Sequence, residues 1–278
     1  MTKSDFRYAH HPEDAKKYTT QELRDHFLIP ELFKKNEINL TYSMYDRYIA
    51  GGAFPVDKKI RLETIDDIKA DFFLERRELG IINVGGKGKV TVDGQVYELD
   101  HKEALYVGRG NKEVSFEAAD GEQPYFYLNS APAHKAYPTK KVTKSEAEIV
   151  ELGEDKYSNK RTINKLLVNS VVETCQLQMG MTELKEGNIW NTMPPHTHSR
   201  RMEVYFYFDL EEGQTISHFM GQPNETRHIF MKNHQAVISP EWSIHAGAGT
   251  SNYTFIWGMA GENLDYGDMD KVAVDELK

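Results

Sequence analysis

Short runs that alternate apolar and polar residues, each stopped by glycine, proline or an Asp-Gly pair, recur through most of the 278-residue chain. A side-chain period of two belongs to β-strands, where one face is buried and the other is wet. The stretch VTVDGQVYEL sets an Asp-Gly pair between alternating hydrophobics and reads as a tight hairpin. In EVYFYF, Glu203, Tyr205 and Tyr207 share one face while Val204, Phe206 and Phe208 share the other. ETCQLQMGM sets Cys175, Leu177 and Met179 against Gln176 and Gln178 in the same way. One stretch reads as a helix: Thr19-Thr20-Gln21-Glu22 is a capping box ahead of Leu23, Phe27 and Leu28. An all-β protein with a short N-terminal helical segment is expected.

The two halves resemble each other. ERRELGIINV, from Glu75, matches SRRMEVYFYF, from Ser199, and ALYVGRGNKEV takes the place of AVISPEWSIHA. This pairing divides the chain into 1–135, a polar linker 136–165, and 166–278. The first half has no histidine between His26 and His101, so a barrel there serves packing. His10 and His11 are assigned to a mobile tail with a surface role, and MDKVAVDELK to a polar tail.

The net charge of -9 argues against nucleic acid as a partner, which needs a basic surface. No apolar run is long enough to span a membrane, and the N-terminus lacks a signal-like core. A single cysteine, Cys175, permits no internal disulfide and reads as a small core hydrophobe. Together these point to the cytoplasm. GGKGK lacks both a following helix and a GK[ST] ending, so it is a turn cluster and not a phosphate loop.

Chemistry concentrates between Met193 and His245. His196 and His198 are two apart and face the same way on a strand; Glu203 follows, and His245 closes the set. Three neutral imidazoles and a carboxylate suit a borderline divalent metal such as zinc. His218, His228 and His234 lie between the ligand strands in a hairpin with a polar tip, where exposure or hydrogen bonding is expected. His134 stands at the head of the linker.

The order HxH, Glu, PxxxxH resembles the cupin metal motif. It departs from the usual glycine spacing, since Gly187 is the nearest glycine before it and PEWSIH precedes the last ligand. The segments APAHKAYPTKKVT, SNKRTINK, ETCQLQMGMTEL, WNTMPPHTHSRRMEVYFYF, GQPNETRHI and WSIHAG resemble the 5-keto-4-deoxyuronate isomerase family, bicupins of bacterial pectin breakdown. The likeness runs from FFLERRELG to the end of the sequence. It implies two antiparallel jelly-roll barrels, one zinc per chain on His196, His198, Glu203 and His245, and a homo-oligomer, a hexamer. It also implies an intramolecular oxidoreductase that converts 5-dehydro-4-deoxy-D-glucuronate to 3-deoxy-D-glycero-2,5-hexodiulosonate through an enediol. Two other readings of the ligand set stay open: an iron dioxygenase, and a sugar-binding or storage cupin with a structural metal.

Such a reaction needs a base to carry a proton between neighbouring carbons. The sequence does not name it; Glu203, Tyr205, Tyr207 and Lys165 are candidates. A uronate carboxylate calls for an arginine fork. Arg161 is the first candidate, with the inward amides Gln176 and Gln178 as further substrate contacts. Arg200 and Arg201 come second, because Arg76 and Arg77 recur in the half without ligands, which favours a structural role. Lys140 and Lys141 are read as solvated.

Overall fold

The computed structural model describes residues 1–262 and 265–278. Strands dominate it, and the α-helices among the described residues are Pro12–Ala15 and Thr20–Phe27. The second helix begins where its capping box predicts. Thr19 Oγ1 accepts from the Glu22 amide, the Glu22 carboxylate accepts the Thr19 amide at 2.7 Å, and Leu23 and Phe27 are buried beneath.

Two compact units divide the chain. The first unit's long sheet orders its strands Thr2–Arg7, Ile38–Ser43, Ile49–Ala53, Phe126–Pro132, Arg77–Asn83, Ala104–Val107, Lys140–Val142. The second long sheet runs Glu148–Leu152, Arg161–Leu167, Gln178–Leu184, Thr254–Gly261, Arg201–Phe208, Gln235–Ser239, Leu28–Ile29. Each is accompanied by a four-stranded sheet: Ile60–Arg61, Val114–Ala118, Gly88–Val92, Gln95–Leu99 in one, and Trp190–Asn191, Ala246–Gly249, Ile216–Gln222, Glu225–Met231 in the other. The two orders correspond strand for strand, so the repeat seen in two segments extends to the whole topology. The printed pairings are antiparallel except that of Thr2–Arg7 with Ile38–Ser43. Each unit is a jelly-roll barrel.

The units are not continuous in sequence, unlike the divisions at 135/136 and 165/166. Residues 1–7, 31–148 and 165–179 form the first; 8–30, 149–164 and 180–278 form the second. The expected linker carries Lys140–Val142, Glu148–Leu152 and the start of Arg161–Leu167. The reason is edge protection, since an open strand edge exposes unpaired backbone groups. Lys140–Val142 covers Ala104–Val107, and Leu28–Ile29 covers Gln235–Ser239. Nor is the N-terminus a mobile tail. Thr2–Arg7 pairs along its whole length with Ile38–Ser43, and His10 Nδ1 lies 2.8 Å from the Tyr18 hydroxyl with its ring 4.0 Å from that of His26.

The first unit is filled with hydrocarbon: Leu79, Ile81, Val90, Leu105, Phe116 and Phe126 belong to one buried cluster. Its Asp-Gly hairpin forms as expected, with Asp93 and Gly94 at φ of 43° and 87° between paired Val92 and Gln95. A buried carboxylate fastens its returning segment. Glu78 accepts the amides of Cys175, Gln176 and Leu177, each at 2.8 Å, and the Tyr106 hydroxyl at 2.7 Å. Cys175 is buried and free, as a core hydrophobe should be.

Candidate metal centre

In the repeat, Leu79 stands where the second barrel has Glu203, and the exposed Glu113 stands where it has His245. The second barrel therefore turns polar at the positions where the first is packed or solvated. Glu203 sits on Arg201–Phe208, His196 on His196–Thr197, and His245 directly before Ala246–Gly249. With His198 their ligand atoms all lie within 4.8 Å of one another, a group able to hold a metal ion. His198 Nε2 is 2.7 Å from Glu203 Oε1, and His245 Nε2 is 3.8 Å from the same oxygen. His245 Nε2 and His196 Nε2 approach to 2.9 Å.

The donor set fits a divalent ion. All four side chains are at most 9% exposed. Burial pushes His245 well below its ordinary value and His196 down to about 4, so both are neutral at pH 7, the form a ligand requires. For Glu203, burial pushes the carboxyl up, but His245 and His198 facing it outweigh this and hold it below the usual carboxylate range. His198 Nδ1 lies 2.9 Å from the Asp268 carbonyl, which fixes the ring with Nε2 turned toward Glu203 Oε1. Three buried imidazoles converging on one carboxylate, two of them with their Nε2 atoms 2.9 Å apart, are a donor set suited to a shared divalent cation.

The expected polar tail contributes to this arrangement. Asp270–Lys271 pairs with His196–Thr197, and Ser199 Oγ donates to Asp270 at 2.7 Å. Arg201, 1% exposed, donates to the carbonyls of Asp265, Tyr266 and Asp268. Its repeat counterpart Arg77 grips the carbonyls of Arg47 and Ser130. Both arginines thus hold backbone, in keeping with the structural role read from their recurrence, and Arg200 is exposed.

The other sequence candidates scatter. Tyr205 is 3% exposed, its ring centroid 5.3 Å from that of His245 and its hydroxyl 3.1 Å from Thr192 Oγ1. Tyr207 is fully buried and pairs its hydroxyl with His218 Nδ1 at 2.8 Å. Burial pushes both phenols well above 10, so at pH 7 they keep their protons and cannot act as bases. Lys165 is committed to Glu148 in an ion pair at 2.5 Å, and Gln176 Nε2 donates to the Pro132 carbonyl, so neither is directed to the ligand group. Gln178 is fully buried, with both amide atoms lacking a partner among the described residues. Arg161 is half-buried and donates to the Asn159 carbonyl at 2.7 Å; burial pushes its guanidinium down, while the Tyr266, Tyr205 and Tyr253 phenols within electrostatic reach act the other way.

Of the intervening histidines, His228 and His134 are exposed and His234 is half-buried. His218 is hydrogen-bonded, but it is fully buried and not part of a polar tip. Its signal was available: Ile216, His218 and Met220 alternate, so the imidazole shares the apolar face.

A family model described as KduI/IolB matches residues 27–275. The chain belongs to that family. Similar relatives run end to end with it. A 4-deoxy-L-threo-5-hexosulose-uronate ketol-isomerase of Formosa agariphila is 63% identical over 278 residues, 100% of this chain and 99% of the relative. One from Bacteroides thetaiotaomicron, 4-deoxy-L-threo-5-hexosulose-uronate ketol-isomerase 1, is 59% identical with the same coverage. One from Escherichia coli is 56% identical over 99% of this chain and 100% of its own length. Among solved structures, an IolB-like protein from Salmonella typhimurium superposes with a TM-score of 0.71 at 14% identity, covering 89% of this chain and 97% of that one. Lactobacillus farciminis oxalate decarboxylase gives 0.55 at 9%, covering 82% and 80%. At such identities the likeness is one of fold, and the fold of this family member is a bicupin.

Proposed function

We propose that the chain is an aldose–ketose isomerase of uronate and pectin degradation. It converts 5-dehydro-4-deoxy-D-glucuronate to 3-deoxy-D-glycero-2,5-hexodiulosonate through an enediol. The carrying observation is a buried three-histidine, one-glutamate group in a chain 63% identical along its full length to a relative named for that isomerisation. His196, His198, Glu203 and His245 are assigned to one zinc per chain, the ion that a nitrogen-rich, borderline donor set favours. Bound there, it would supply Lewis acidity toward the carbonyl and hydroxyl oxygens of the substrate. The same reading makes the protein a cytoplasmic homohexamer. The dioxygenase and storage readings draw no support from relatives named as ketol-isomerases.

The chain's own residues divide the remaining work. Arg161 is the candidate for the uronate carboxylate, where a planar fork binds two oxygens at once. Tyr205, beside His245 and holding its proton, serves as a hydrogen-bond donor and not as the base. Exclusion of water follows from the burial of the ligand group, and it strengthens each polar contact made inside.

One experiment tests the reading. Bound metals are quantified on purified protein, and conversion of freshly made substrate is followed by NMR before and after chelation. One zinc per chain with chelator-sensitive turnover is expected. Metal without turnover would return the weight to a binding protein, and absence of any metal would sink the ligand assignment.

A further inference from the structure

His218 has no place in the ligand group, yet it lies inside the same barrel. Its ring centroid is 5.8 Å from that of Tyr205 and 5.9 Å from that of Tyr207, and the side chain is fully buried. Packing does not call for an imidazole there. In the first unit the corresponding strand, Gly88–Val92, turns Val90 and Val92 into its hydrocarbon core.

The Tyr207 hydroxyl lies 2.8 Å from His218 Nδ1. With the phenol proton directed at Nδ1, the tautomer assigned here, Nε2 carries the imidazole hydrogen. That Nε2 has no partner among the described residues. A buried donor left unpaired costs on the order of 1–3 kcal/mol.

We propose that His218 is a catalytic residue of the isomerisation, donating through Nε2 to the two substrate oxygens and relaying the hydroxyl proton from one to the other. The inference rests on the isomerase reading above. As the carbonyl migrates, the carbon-bound hydrogen moves from the hydroxyl carbon to the aldehyde carbon by a separate base. Nε2–H is given to the former aldehyde oxygen, forming its O–H bond. The proton of the former hydroxyl passes to Nε2 as the new C=O forms, so the neutral imidazole is restored and no other reactant is consumed. Burial holds His218 down to about 3, so it works as a neutral electrophile; the imidazole of triosephosphate isomerase, a standard example of such tuning, acts in this form.

The test compares the parent with His218→Gln, both loaded with zinc, in D2O. Parent turnover examines the isomerase reading, and the variant-to-parent ratio examines this one. Glutamine keeps an amide donor but cannot relay a proton, which predicts a fall in kcat of about 100- to 1000-fold, with metal content unchanged. Exchange of the substrate's carbon-bound hydrogen with solvent should persist, so the ratio of exchange to product rises. Turnover within about threefold of the parent would overturn the proposal. So would loss of zinc along with activity, or a parallel fall of exchange and turnover, which would make His218 the carbon base. If that variant does not fold, Tyr207→Phe probes the outer end of the relay. A fall in kcat of about tenfold with KM unchanged is expected, and no change in kcat would overturn it.

Discussion

Leu79 and Glu203 occupy the same place in the two repeats, one in hydrocarbon and one among three imidazoles. Single alanine changes at His196, His198 or His245 should abolish stoichiometric metal while circular dichroism still reports a β-rich fold, because both barrels keep their cores. Retention of metal in all three variants would refute the ligand set. That these four side chains gather in one group was legible because strand alternation fixes which way a side chain points. The base was not, because Tyr205 and Tyr207 acquire their proton affinity from burial that no spacing reveals. His218 leaves a mark on acid stability. It is neutral when folded, near 3 against an ordinary 6.5, whereas the unfolded chain takes up this proton as the pH falls through 6.5. Its contribution is therefore complete above pH 6.5 and declines from there toward 3, by up to about 1.4 kcal/mol per pH unit. Urea midpoints of metal-free protein at pH 7 and 5 should differ less for His218→Gln than for the parent. Equal losses would show that the imidazole does not titrate in this window.

At the scale of elements, what the sequence disclosed were those that carry their own pattern. The capping box at Thr19, the Asp93-Gly94 hairpin and the strand EVYFYF formed as read, since local chemistry determines each. Thr2–Arg7, Leu28–Ile29 and Lys140–Val142 gave no such sign. TKSDFR is polar, and the other two are only 2 and 3 residues long; all three are held by the edge they cover, a property of the partner strand. Glu78 was overlooked for a related reason, because its partners lie about a hundred residues away, |i−j| from 97 to 99. Glu78→Ala strands the amides of Cys175, Gln176 and Leu177 and the Tyr106 hydroxyl. A loss of at least about 3 kcal/mol in urea unfolding is expected, charged hydrogen bonds contributing roughly 1.5–3 kcal/mol each. A change below about 1 kcal/mol would mean that water replaces the carboxylate.

For the molecule as a whole, the repeat was visible but the partition was not, because segments are lent across what the sequence presents as boundaries. A fragment of residues 166–278 would lack residues 8–30 and 149–164 of the second unit, and with them the sheet strands Leu28–Ile29 and Glu148–Leu152. It should be insoluble or unfolded by circular dichroism and size exclusion, and a soluble β-rich monomer would refute the interleaved division. Addition of the missing segments as separate peptides should restore little, since closing a sheet between free chains lacks the advantage of a tether.

That interleaving also sets a schedule for synthesis. Everything the first unit needs has been made once Met179 is added, so that barrel is free to close while the rest is still being translated. Leu28 and Ile29 emerge early, yet the edge they cover is among the later strands, and the bond from Gln235 to Pro30 closes a span of 205 residues. At about 5–20 residues per second, this apolar pair waits roughly 10–40 seconds on the ribosome without its partner. The barrel that holds the ligand group is thus the last to close, and its nascent form offers a window in which chaperones, or another nascent copy, compete for the same open edge.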